Sequence, residues 1–299
     1  MQQLPPLSAR IPTIHQSKLM PAQELRPHLK VANDSRVILW NTDKTYLDDL
    51  LFAGFAVPET KFVRDLSAFS TTESLATHIS TLAKGITNGP VILKPSVSGS
   101  SKQTYRINDP SNMNDADHEY LANVVQDGID GALMVQEFEP AIANGEYSLV
   151  FTAGVHTHTM VKTPAQGEFR CQAEFGGGIR ELPMKEVPEV ARRTAKDVTR
   201  FMESKVGAVT YCKVDGVVRK SGEFVLMEVE AIKPHLWLET CNDSQICEAL
   251  YAPLLRPNPQ SAGFGESSQW LLGSLAGRLG RWIRWFKGYL WSRSKFVKT

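Results

Sequence analysis

Three carboxylates in the segment "YCKVDGVVRKSGEFVLMEVEAI" are spaced to meet. Two apolar runs flank "KSGE", which reads as a β-hairpin. A two-residue turn at Ser221 and Gly222 sets Lys220 opposite Glu223 and, further up the ladder, Asp215 opposite Glu228. Glu230 projects from the same face as Glu228, because side chains along a strand repeat with period two. Directly opposed carboxylates have Cβ atoms roughly 4.5–5.5 Å apart and repel each other. A hard cation reverses the sign of that interaction, since Mg2+ takes carboxylate and phosphate oxygens at about 2.0–2.1 Å. A solvated acidic face, with Glu230 paired across to Lys213, is the alternative in the same register. If the carboxylates repel, Glu228→Ala should raise thermal stability in metal-free buffer.

A second stretch complements the first in charge. "VILKPSVSGSSKQTYRI" sets Lys94 at the end of an apolar strand, followed by a loop with almost no side-chain bulk. Ser98, Gly99 and Ser100 let backbone N–H groups approach an anion, and successive N–H groups in a turn form a concavity for phosphate oxygens. Alternation resumes in "TYRI", so the order is strand, loop, strand. That order, and the absence of G-x-x-x-x-G-K-[ST] ahead of a helix, excludes a Walker A loop. An ordinary hairpin with a serine-rich turn fits this segment equally well taken alone.

The elements that must carry these residues alternate along the chain. "RVILW" reads as a strand. "TDKTYLDDLLFAGF" reads as a helix capped by Thr42 or Asp43, and "TTESLATHISTLAKG" as a second helix ended by Gly85. "VILKP", "TYRI" and "ALMVQEF" read as strands, with a helix near residues 115–126 between the last two. Beyond Pro140, "EYSLVFTAG" and "HTHTMVKTP" form a hairpin, "EFGGG" a loop, and "EVPEVARRTAKDVTRFMES" a helix before the acidic hairpin. This order fits an α+β fold of two lobes meeting near Phe138 better than a doubly wound parallel sheet. The expected divisions are an arm at 1–35, a first lobe at 36–138, a second lobe at 139–250, and a linker with a basic tail at 251–299.

Composition narrows the class. With 299 residues, 42% of them hydrophobic, the chain can bury a sizeable core in one large or two modest domains. Lys plus Arg and Asp plus Glu nearly cancel, at 33 and 32, but no acid follows Glu266, so the body is acidic and the tail basic. The four cysteines show no C-x-x-C spacing, which favours reduced thiols in a cytoplasmic setting over a zinc site or a disulfide frame. No signal-peptide core opens the chain and no run of about 18 apolar residues suggests a membrane span. His156 and His158 share a strand face without a third ligand and read as ordinary hairpin residues. No Ser-His-Asp or Cys-His constellation is evident.

The motifs "WNTDK", "VILKPSVSGSSKQTYRI", "VQEFEPAIANGEYSLVF", "MVKTPAQGEFRCQAEFGGG" and "VDGVVRKSGEFVLMEVEAIKP" occur in an order that resembles the ATP-grasp superfamily. The nearest likeness is to its branch of glutathione-synthetase-like and ribosomal-protein-glutamate-ligase-like enzymes, and it runs from about Trp40 to Pro234. The resemblance implies an ATP-grasp fold, two α+β lobes clamping ATP, with Mg2+, or Mn2+ in its place, on the phosphates. It implies phosphate contacts from Lys44 and Lys94, an adenine hinge at Glu137 and Phe138, and ribose contacts from Glu146. Lys162 matches a basic residue that reaches the phosphates, Arg170 the arginine that steadies the reacting carboxylate or acyl phosphate, and Asp215, Glu228 and Glu230 the metal ligands. Many relatives carry Asn where this chain has Glu230, and most carry a full α/β domain where this chain has about 35 residues.

The activity so implied is ligation of a small carboxylate or amino acid to an amine through an acyl phosphate, releasing ADP and phosphate. ATP binding without ligation is the alternative. A nucleic-acid partner is not expected, because the acidic body offers no aromatic and basic platform. In residues 268–299, Leu271, Leu275, Leu279, Ile283, Phe286 and Leu290 recur at helical spacing beside Arg278, Arg281, Arg284 and Lys287, giving a basic amphipathic C-terminal helix. Four tryptophans broaden its apolar face. Two roles fit it: peripheral contact with an anionic membrane surface, or docking on the body or a partner protein.

Overall fold

The computed structural model describes residues 32–99, 101–171 and 175–237. The arm before residue 32, Ser100, and the basic tail with its amphipathic helix lie outside the described residues. Within them the fold is α+β, built on two antiparallel sheets.

Two short helices come first, α1 at Ser35–Thr42 and α2 at Tyr46–Phe52. The expectation of a strand at "RVILW" is wrong. Asp34 caps this segment by accepting from the Arg36 N–H, and Val37, Trp40 and Asn41, at helical spacing, turn inward. The β-branched run favours a strand locally, but the cap and the buried stripe override it. Neither Thr42 nor Asp43 caps α2, which starts after Thr45, while Asp43 Oδ1 accepts from the Thr45 N–H at 2.9 Å.

The first sheet has the order β1-β4-β2-β3, from β1 at Thr60–Val63, β2 at Val91–Pro95, β3 at Tyr105–Ile107 and β4 at Leu133–Glu137. Two amphipathic helices cover one of its faces, α3 at Thr72–Lys84 and α4 at Asp115–Asp127. Thr71 caps α3, and Asn114 with Asp117 forms a capping box on α4. Leu75, Ile79 and Leu121 from the helices meet Val91, Leu93 and Val135 from the strands in one core.

The second sheet has the order β7-β6-β5-β8-β9, with β5 at Glu146–Thr152, β6 at Val155–Thr163, β7 at Gly178–Leu182, β8 at Tyr211–Val218 and β9 at Phe224–Glu230. Its core face is covered by α5, Glu189–Val206, through Ala191, Ala195, Val198, Met202 and Val206. Helices α1 and α2 join this same core, although they precede the first sheet in the chain. Asn41 and the Tyr46 hydroxyl bond the backbone of Val229 and Ala231, so side chains occupy hydrogen-bonding groups that another strand would otherwise take.

The acidic hairpin forms, but its turn differs from the expected one. Arg219, and not Lys220, pairs with Glu223, and the loop is Lys220, Ser221 and Gly222, with Gly222 at φ +84°. A three-residue loop shifts the ladder by one residue. A β-bulge that leaves Met227 unpaired shifts it back, so Asp215 still faces Glu228 and Lys213 still faces Glu230.

Candidate active site

The face of the first sheet that lies away from its helices and the corresponding face of the second sheet bound a cavity of about 800 Å3. Strand alternation decides what the first sheet presents. Val91 and Leu93 turn into the core, while Ile92 and Lys94 line the cavity. Lys94 has no carboxylate within ion-pair distance among the described residues, and burial pulls its pKa down to about 8. The serine-rich loop beside it is tied to the frame: the Ser96 N–H donates to the Ala132 carbonyl at 2.8 Å, and Ser96 Oγ accepts from the Ala132 N–H at 2.9 Å. Gly131 makes this approach possible, because it holds φ +75° and a Cβ there would collide with Ser96 Oγ. Ser98 and Gly99 line the cavity.

Lys44 reaches the same loop from the turn between α1 and α2. Its backbone N–H donates to the Ser96 carbonyl at 2.8 Å and its Nζ to the Ser98 carbonyl at 2.6 Å. The ammonium also lies 3.2 Å from Glu228 Oε1. A lysine of the helical turn, the backbone loop and an acid of the second sheet therefore share one corner of the cavity.

The second sheet supplies a buried ion-pair network. Lys162 Nζ lies 2.6 Å from Glu146 Oε2 and 2.9 Å from Asp215 Oδ2, and Lys213 Nζ lies 3.2 Å from Asp215 Oδ2 and 2.9 Å from Glu230 Oε1. Strand pairing brings them together, since Glu146 faces Lys162 across β5 and β6 and Lys213 faces Glu230 across β8 and β9. Burial would lower the Lys162 pKa, but Asp215 and Glu146 outweigh it and hold the ammonium well above the ordinary lysine value. Burial would likewise raise Asp215, yet Lys162 and Lys213 hold it below the ordinary value. Glu230 is pushed up to about 7, chiefly by burial. The expected repulsion between Asp215 and Glu228 is thus offset by three lysines, one of them the Lys213 of the alternative reading.

Glu137 and Phe138 leave β4 along the cavity wall. The Arg106 guanidinium lies 4.1 Å from the centroid of the Phe138 ring, and Phe169 meets that ring edge-on at 6.3 Å. Arg170 also lines the cavity. Glu168 grips it through two bonds, at 3.1 and 2.7 Å, and the Phe175 ring lies 3.6 Å beneath the guanidinium. The hydrogen bond from Arg170 holds the Glu168 carboxyl down at about 2. Cys171, next along the chain, is buried, and its thiol is pushed up to about 12, so it is inert at neutral pH.

Every expected site residue among those described therefore lines this one cavity. Among the polar and aromatic lining residues, sequence reasoning missed Gln136, His235 and Trp237, and it did not foresee Lys213 as part of the network. The Trp237 ring is stacked on His235 at 4.8 Å and lies 5.4 Å from Lys213 Nζ. Strand alternation could have exposed Gln136 and Lys213; no local signal marks the other two.

The carboxylates suit a hard cation in kind, as all-oxygen donors. Asp215 Oδ1 is buried with no hydrogen-bond partner, an orphaned lone-pair site that a cation would satisfy. Among the described residues, no three His, Cys, Asp or Glu side chains already converge to hold a metal, because the three acids each pair with a lysine. No helix among them is long and apolar enough to cross a membrane.

No protein-family model matches the sequence, and no curated protein is significantly similar to it. Solved structures are similar in fold. D-cycloserine synthetase DcsG is 21% identical, over 81% of this chain and 80% of its own, with a TM-score of 0.64. A D-alanine–D-alanine ligase from Bacillus anthracis, complexed with ATP, is 14% identical over 84% of this chain and 78% of its own, with a TM-score of 0.52. The ATP-grasp ligase PsnB, complexed with a minimal precursor, is 18% identical over 80% of this chain and 70% of its own, with a TM-score of 0.50.

Proposed function

We propose, on the premise that this chain has the ATP-grasp fold, that it is an ATP-dependent carboxylate–amine ligase acting on a small carboxylate or amino acid. The observation that carries the reading is the convergence in one cavity of Lys44, Lys94, Lys162 and Arg170 with Asp215, Glu228 and Glu230. Those residues offer cations for a polyphosphate and oxygens for its metal, and no nucleophile or acid–base pair is needed.

In this reading the adenine lies along Glu137 and Phe138, and Glu146 binds the ribose hydroxyls. Lys44, Lys94 and the backbone of the 98–100 loop hold the phosphates. Asp215, Glu228 and Glu230 would hold Mg2+, or Mn2+ in its place, which when bound neutralises charge on the phosphate oxygens. The substrate carboxylate oxygen attacks the γ-phosphorus, the bond to the β-phosphate bridging oxygen breaks, and ADP leaves. The amine nitrogen then attacks the acyl carbon, phosphate departs with the acyl oxygen, and the nitrogen loses a proton. Lys162 and Arg170 steady the charge on the transferring group and the acyl phosphate. Binding of polyphosphate also requires Lys44 and Lys162 to exchange protein carboxylates for ligand oxygens, which a cation held by Asp215, Glu228 and Glu230 would permit.

The test is ADP release measured across a panel of amino acids and small carboxylates, each with and without an amine. Turnover that depends on a carboxylate, with a stable amide product, is expected. ATP binding without turnover for any member would favour a non-ligating protein, and absence of ATP binding would remove the reading.

A further inference from the structure

Strand pairing arranges the cavity face of the second sheet in rows. Lys162 and Glu146 form the first row, Met160, Ser148, Asp215 and Glu228 the second, and His158, Val150, Lys213 and Glu230 the third. Successive rows are two residues apart along each strand, or about 7 Å. With ribose at the first row and the metal-bound phosphates from the second onward, the third row, farthest from the ribose, borders the substrate.

The chain itself closes that end. It leaves β9 after Glu230 and returns over the third row, where Trp237 packs on Val150 and Met160. The Trp237 ring is also stacked on His235, and Lys213 Nζ lies against it. Only 6% of Trp237 is exposed, yet it lines the cavity. Its backbone is held at φ +47°, in the left-handed region, which is costly for a bulky side chain and is kept only where the surroundings impose it.

One of those restraints comes from β6. His158 Nε2 bonds the Leu236 carbonyl at 2.8 Å, and since a carbonyl only accepts, Nε2 carries the proton. Thr157 Oγ1 bonds the other ring nitrogen at 2.9 Å, which fixes the plane of the imidazole. The two histidines of this strand are therefore unequal. His156 bonds within β6, to the His158 carbonyl and Thr159 Oγ1, whereas His158 crosses to the segment that carries Trp237.

We infer that Trp237 is a specificity-determining residue, limiting the bulk of the amino acid or carboxylate admitted at the third row, and that His158 is the positioning residue that holds it there. The inference rests on the ligase reading of the cavity. A fixed indole ring fills the volume that a longer side chain would need, and a packed wall discriminates by about tenfold or more for each methylene.

The test is kcat/KM for ADP release by the full chain, over amino acids ordered by bulk from glycine to phenylalanine and carboxylates from acetate to phenylacetate, each with and without an amine. The parental protein should favour the small members. Trp237→Ala should raise the ratio of bulky to small substrates by at least about tenfold, with ATP affinity near parental. His158→Leu should shift the ratio the same way, severalfold, without touching substrate. His158→Gln, which returns an N–H to the Leu236 carbonyl, should bring it back toward the parental value. A variant that is only less stable lowers turnover for every member alike and leaves the ratio unchanged. If Trp237→Ala fails to fold, the two His158 variants decide. A parental preference for bulky members, an unchanged ratio in Trp237→Ala and His158→Leu, or equal shifts in His158→Leu and His158→Gln overturns the inference while leaving the ligase reading intact. A parental protein that turns over no member overturns the ligase reading, and this inference with it.

Discussion

Lys94 and Lys162 face one cavity from opposite sheets, in opposite electrical surroundings. Lys94, next to last in β2, has no ion pair among the described residues, and burial brings its pKa to about 8. Lys162 sits between Glu146 and Asp215, and its pKa is held well above the ordinary value. The difference separates two uses of a buried cation. A lysine that the fold leaves unbalanced costs stability, and a ligand's negative charge can make good that cost. A lysine balanced by the fold contributes to stability, and reaches a ligand only when something else takes over its carboxylates.

The largest expected effect of this contrast is on stability. Lys162→Met should cost about 3–5 kcal/mol in metal-free buffer, because it strands Glu146 in a buried site and leaves Asp215 with Lys213 alone. Lys94→Met should change stability by about 1 kcal/mol at most, or increase it, since it removes an unpaired cation. Urea denaturation of the two variants decides, and equal losses would erase the distinction.

Next comes turnover. Arg170 is already held by Glu168 and the Phe175 ring, so Arg170→Ala should leave ATP affinity near parental and lower turnover about 100-fold. An equal loss of ATP affinity would show that Arg170 contacts the nucleotide in its ground state.

The pH dependence of Lys94 should be smaller but specific. Its folded pKa, about 8, lies below the ordinary 10.5, so between those values the unfolded chain binds more protons. Stability from this group should therefore rise with pH through that window, while ATP affinity, which needs the charged form, should fall by up to about tenfold per unit. Both trends should vanish in Lys94→Met. A pH-independent ATP affinity from 8 to 10 in the parental protein would place the phosphates elsewhere.

The smallest effect concerns Glu228. Read from sequence alone, Glu228→Ala relieves repulsion and should stabilise. In the structure Glu228 balances Lys44, at 3.2 Å and with about a third of its side chain exposed, so the substitution should instead cost less than about 1 kcal/mol. A melting temperature raised in metal-free buffer would restore the first expectation.

What could be read from the residues depended on whether local pattern and tertiary packing agree. Helices α3, α4 and α5 carry their own caps or long amphipathic stripes and were legible. Helix α1 was not, because Val37, Ile38 and Leu39 favour a strand and only burial against the second sheet decides otherwise. Strand β7 went unread, since four of its five residues are exposed and no alternation marks it. The pairing of Asp215 with Glu228 was reached through two errors that cancel, a loop one residue longer than assumed and a bulge at Met227 that no composition signals. The acids and lysines of the cavity could be named from motif order. Their partition into balanced and unbalanced charges could not, because it depends on which atoms lie within about 3 Å across strands.

The central claim is that the unbalanced charge of Lys94 marks the nucleotide phosphate site. Calorimetric titration of ATP with Mg2+ into the parental protein and into Lys94→Met, at pH 7, tests it most directly. The account expects saturable binding by the parental protein and a loss of at least about tenfold in affinity in the variant, with its folding stability undiminished. Equal affinities in the two proteins, or no binding by the parental protein, would contradict it.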